Sequence, residues 1–186
     1  IEIRNTGSIG FASLTAEALG SAPPTNNDTD EAPAGIFLAA TGGTISTSGD
    51  MTLTTDSSLG TYAQSNGTVA VGGDLSITAA DQIDIRHDLR VGTAPTITAS
   101  GNLTATAGSI SSAPGSLLDA GGTLSLTSTL GGIGIDRLDG NNIVIAAAGA
   151  ASVEHAEATN DFTASGASFR TGLNSIITGG DILVTS

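Results

Sequence analysis

A six-residue phrase in which aliphatic and hydroxyl side chains alternate recurs along the chain. Its clearest copy is residues 73–78, which read Gly-Asp-Leu-Ser-Ile-Thr. Successive side chains of a strand point to opposite faces, so this alternation predicts β-strands with one apolar and one polar face. The phrase begins at Gly49, Gly73, Gly101 and Gly122, with degenerate copies that begin at Asn142, Asn160 and Gly180.

The spacing of these phrases predicts the architecture. The first aliphatic residue of each copy lies at positions 51, 75, 103, 124, 143, 162 and 182, which gives spacings of 24, 28, 21, 19, 19 and 20 residues. This period is too short for ankyrin or tetratricopeptide units. It suits one coil of a β-solenoid, so we predict an all-β fold with about 20 residues per coil and about eight coils.

The aliphatic residues of the phrases should stack in the interior, and the Ser and Thr residues should form ladders outside. The predicted core column is Leu75, Ile77, Leu103, Leu124, Leu126, Ile143 and Ile145. Gly and Asp or Asn before each strand are expected to form corners, because they tolerate positive φ or bond their own backbone. A second strand is expected after each phrase, at 108–110, 132–135 and 151–153, and residues 13–18 could form a helical turn.

The chain reads as one β-helix segment, 1–186, of a longer protein. It starts and stops inside strand-like runs. Two stretches interrupt the period, a polar loop insertion at about 19–34 and a second insertion at about 80–96.

Composition narrows the possible partners. The 186 residues include five Arg, no Lys and 18 acids, so the net charge is −13, which argues against nucleic-acid binding. Aromatic residues make up 3% of the chain and cysteine is absent, which argues against ring-stacking sites and excludes thiol chemistry. No apolar run reaches the length of a membrane span, so no membrane insertion is expected.

The phrases at 73–78 and 101–110 resemble the shaft repeats of filamentous-haemagglutinin-like adhesins, which are exported by two-partner secretion. The resemblance covers about residues 35–186. It implies a right-handed parallel β-helix, secreted to the surface of a Gram-negative bacterium. It also implies an outer-membrane transporter as export partner and an unknown surface receptor or matrix as target.

Two groups of acidic residues are candidates for a calcium site. Asp136 and Asp139 lie in a Gly-rich nonapeptide that matches one turn of a calcium β-roll, but no second copy stacks on it. Asp28 and Asp30, with Glu31, lack the rest of a calcium loop. We therefore predict no metal site and no cofactor.

No catalytic residues are predicted either. Asp84, Arg86, Asp88 and Arg90 alternate in charge along one strand, which indicates a row of surface ion pairs. His87 and His155 have no obvious partners in the sequence.

The expected function is therefore a structural or adhesive shaft without enzymatic activity. Two alternatives stay open. The outward Ser and Thr residues favour an ice-binding solenoid, and the acidic and Arg residues of 83–91 favour a polysaccharide-degrading β-helix.

Overall fold

A computed structural model describes residues 1–5, 7–19, 36–41, 43–56, 59–64, 67–87, 95–172 and 176–186. The described residues form strands and no helix, so the predicted all-β solenoid is confirmed. The strands are β1 Glu2–Asn5, β2 Ser8–Phe11, β3 Leu14–Ala18, β4 Ile36–Thr41, β5 Thr44–Thr47, β6 Met51–Thr55, β7 Leu59–Gln64, β8 Thr68–Val71, β9 Leu75–Ala79, β10 Gln82–His87, β11 Thr96–Ala99, β12 Leu103–Ala107, β13 Ser109–Ser112, β14 Leu117–Ser128, β15 Ile133–Ala147, β16 Ala150–Ala158, β17 Phe162–Ser165, β18 Ser168–Thr171, β19 Ile176–Thr178 and β20 Ile182–Thr185.

Parallel pairing arranges the described strands in three rows, to which each coil contributes one segment. The first row contains β1, β4, β7, β10, β13, the starts of β15 and β16, and β18. The second contains β2, β5, β8, β11, the start of β14, the middle of β15, the end of β16, and β19. The third contains β3, β6, β9, β12, the ends of β14 and β15, β17, and β20. Each row thus has eight segments among the described residues.

The interior is a stack of aliphatic side chains in register. Leu75 pairs with Leu103, Leu103 with Leu124, and Leu124 with Ile143, and all four are at most 2% exposed. All seven residues of the predicted core column are buried. Because an aliphatic side chain gains about 1.5–3 kcal/mol on full burial, this column is a main source of stability.

The strands expected after the phrases are present as β13, the start of β15 and the start of β16. The helical turn expected at 13–18 is wrong, because Leu14–Ala18 is strand β3. It pairs with β6 and buries Ala16 and Ala18, so pairing with the next coil overrides local preference. Residues 20–34 and 88–94 of the two expected insertions lie outside the described part of the chain, whereas 82–87 belong to β10.

The Asp and Asn residues before the third-row strands hydrogen-bond to the following coil. Asp74 Oδ1 accepts the backbone N–H of Asn102, at 2.7 Å. We call this set of bonds the corner ladder. In the other short hydrogen bonds of the corner ladder, Asp74 N donates to Asp50 Oδ1 at 2.9 Å, Thr123 N to Asn102 Oδ1 at 2.9 Å, and Asp181 N to Asp161 Oδ1 at 3.0 Å. These side chains therefore bond the next coil, and the expected bond to their own backbone is wrong.

The glycines of the phrase make room for the corner ladder. A Cβ built on Gly101 would lie 2.1 Å from Asp74 Oδ1, and one on Gly180 would lie 2.3 Å from Asp161 Oδ1. Positive φ is not the reason for them, because Gly115 is the one described glycine with that conformation, at φ 83°. The expected conformational role is therefore wrong, and the requirement is space for the side chain of the preceding coil.

One coil shows what happens without the glycine. Asn160 occupies the glycine position, and there the bond from Asp161 N to Asn142 Oδ1 lengthens to 3.5 Å. That distance lies beyond the usual range for an N–H···O bond. A Cβ at this position thus accompanies a weakened ladder bond.

Gly101→Ala should lower the free energy of unfolding by about 1–3 kcal/mol, because its Cβ displaces the Asp74 carboxylate. The cost should fall by at least about 0.5 kcal/mol in an Asp74→Ala background, where that oxygen is absent. Urea unfolding of the parent, both single variants and the double variant measures this coupling.

Gly10→Ala is the matched control, because its Cβ would lie 3.4 Å from Ser46 Oγ, an ordinary contact distance. It should leave stability within about 0.5 kcal/mol of the parent or raise it. Additive costs for Gly101→Ala and Asp74→Ala would contradict the steric account of the corner ladder.

Candidate functional site

Charged side chains stack on the outer side of the second row. Asp119 pairs in register with Asp139, and Asp139 with Glu157, so one acid from each of three successive coils occupies the same outward position. Neighbouring strands lie about 4.8 Å apart, which places the three carboxylates in one line. We call these three residues the carboxylate column. Arg137 and His155 pair with each other two residues earlier on the same strands.

Arg137 and His155 partly neutralise the carboxylate column. Arg137 Nη2 donates to Asp139 Oδ2 at 3.3 Å and to Glu157 Oε1 at 3.4 Å. His155 Nε2 lies 2.9 Å from the same Glu157 oxygen. The expectation that His155 has no partner is therefore wrong. Arg137 and Glu157 are both substantially exposed, so these pairs contribute little to stability.

The two ends of the column differ electrostatically. Burial and, secondarily, the Asp139 carboxylate raise the pKa of Asp119, and Arg137 only partly offsets them. The hydrogen bond with His155 lowers the pKa of Glu157. Asp139 lies between them, and its Oδ1 is shielded from solvent without a hydrogen-bond partner among the described residues. The pKa of the carboxyl group is thus raised at the Asp119 end of the column and lowered at the Glu157 end.

The carboxylate column lines an open groove of about 440 Å³ between the second and third rows. Gly121, Asn141 and Thr159 complete its floor, and Asn141 Nδ2 donates to Gly121 O at 2.8 Å. Within the described residues no group of three or more side chains is arranged to hold a metal ion.

The metal candidates from the sequence have other roles or lie elsewhere. Asp136 Oδ2 accepts the backbone N–H of Gly115 at 2.8 Å, and Asp136 N donates to Ser112 Oγ at 3.0 Å. Asp136 thus fixes the turn at Gly115, whereas Asp139 belongs to the carboxylate column. Asp28 and Asp30, with Glu31, lie outside the described residues.

Asp84 lies in a polar cluster on the first row. It pairs in register with Ser111, whose Oγ donates to Asp84 Oδ1 at 3.2 Å and accepts from Gln82 Nε2 at 3.0 Å. Asp84 is only 6% exposed, whereas the sequence predicts a surface position for it. Outside the described part of the structure lie Asp88, Arg90 and the side chains of Arg86 and His87.

A second outward surface consists of hydroxyl side chains on the third row. Over four successive coils two columns stay in register, and we call these residues the hydroxyl face. Its members are Thr52, Thr54, Ser76, Thr78, Thr104, Thr106, Ser125 and Thr127. In the next coil Val144 and Ala146 occupy the same columns, so the hydroxyl face ends there.

Comparisons with protein-family models, curated proteins and solved structures found no match for this chain. Within the described ranges there is also no helix that is long and apolar enough to cross a membrane.

Asp119→Asn should raise the melting temperature at neutral pH. The pKa of Asp119 is raised from 3.8 in the fold, so folding disfavours its charged form. This cost is absent below the unfolded pKa and grows as pH rises through the folded pKa. The gain should stay below about 1 kcal/mol because the Asp119 side chain is only partly buried, and it should vanish at acidic pH. Thermal melts across this pH range measure it.

Glu157→Gln is the control of opposite sign. In the parent the pKa of Glu157 is lowered from 4.5, so its charged form stabilises the folded state above that pH. This stabilisation is lost as the pH falls through the folded pKa. This variant should melt at a lower temperature than the parent at neutral pH. If Asp119→Asn also lowered the melting temperature there, the electrostatic account of the column would be wrong.

Proposed function

We propose that this chain is a structural shaft segment of a secreted bacterial adhesin. The observation that carries the proposal is the unbroken stacking of three parallel rows through eight rungs of described residues. Each inner coil is bonded to the coil before it and the coil after it. A solenoid of this kind gains length with every coil added, which is what a rigid spacer needs.

The dimensions and surface of the solenoid suit this role. Eight rungs at the parallel-strand spacing give a rod of roughly 40 Å. The net charge of −13 disfavours lateral association of rods. The resemblance to filamentous-haemagglutinin-like shafts adds an expected context, namely export by an outer-membrane transporter and display on a Gram-negative cell that binds a receptor or matrix.

A surface-display experiment tests the shaft proposal. The full chain is placed between a cell-surface anchor and a terminal binding domain, and attachment of the cells to the domain's ligand is measured. The parent should support attachment, and Leu124→Asp should abolish it, because a charge at this fully buried position breaks the coil stacking. Ser125→Asp, the adjacent outward position, is the matched control and should support attachment like the parent.

Two outcomes would contradict the shaft proposal. One is attachment that persists when Leu124→Asp has unfolded the chain, as judged by circular dichroism. The other is release of sugar ends from acidic polysaccharides by the parent and loss of this release in Asp84→Asn, which would favour the polysaccharide-degrading alternative.

Ice binding is a second candidate, favoured by the register of the hydroxyl face. Two columns of hydroxyl side chains repeat at the strand spacing over four coils, which makes a regular surface without charge.

If the hydroxyl face binds ice, the parent should show thermal hysteresis in a nanolitre osmometer, and Thr104→Arg should lose it because the long charged side chain disrupts the face. Thr68→Arg, on the outer side of the second row, is the matched control and should keep the activity. A parent without hysteresis would exclude this candidate.

A further inference from the structure

We draw no further inference here: the strongest candidate, the open groove that the carboxylate column lines on the second row, is a cluster of acidic side chains whose central member, Asp139, is 24% exposed and hydrogen-bonded to Arg137, and nothing else among the described residues of the groove points to a ligand.

Discussion

The structure depends on one constraint, which is that each coil stacks on the preceding coil in fixed register at the spacing of parallel strands. Residues at equivalent positions of successive coils are therefore neighbours about 4.8 Å apart, and their side chains must fit against each other. Inside, aliphatic side chains such as Leu103 and Leu124 satisfy this by excluding water together. At the corners a carboxylate or amide oxygen bonds the next coil most closely when that coil has no Cβ there, as at Gly101, and the bond is longer where Asn160 supplies a Cβ. Outside, any side chain that reaches solvent is tolerated.

The constraint explains which features could be predicted from the sequence. The position of a strand and the face on which each side chain lies can be predicted from neighbouring residues. Alternation along 73–78, for example, is enough to assign Leu75 and Ile77 to the same face of the strand. The period then gives the solenoid. The role of the corner glycine could not be found locally, since the oxygen that excludes a Cβ at Gly101 belongs to Asp74, 27 residues earlier (101 − 74). A conformational reason was the only one that neighbouring residues could offer, and it was the wrong one.

The carboxylate column shows a feature that the period could have revealed. Asp119, Asp139 and Glu157 are 20 and 18 residues apart, which is one coil in each case, and stacking turns that spacing into proximity of like charges. The pairing of His155 with Glu157 also follows from their outward positions on β16. The raised pKa of Asp119 could not have been predicted, because its main cause is burial, which depends on how neighbouring coils cover the side chain.

Stacking constrains the inward and corner positions more than the outward positions, and this difference limits what the sequence can reveal about function. Four of the six positions in the phrase at 73–78 are corner residues or inward aliphatics, which stacking fixes, and the other two are the outward Ser and Thr of the hydroxyl face. The phrase therefore carries information about the rod and little about a ligand, because a ligand would contact the outward positions that stacking leaves variable. The hydroxyl face and the carboxylate column are built from such positions, and they give adjacent sides of one rod different chemistry. A shaft needs only that the interior and corners persist from coil to coil. A binding role requires in addition that the residues of one outward face be matched to a ligand, and register alone does not supply that match.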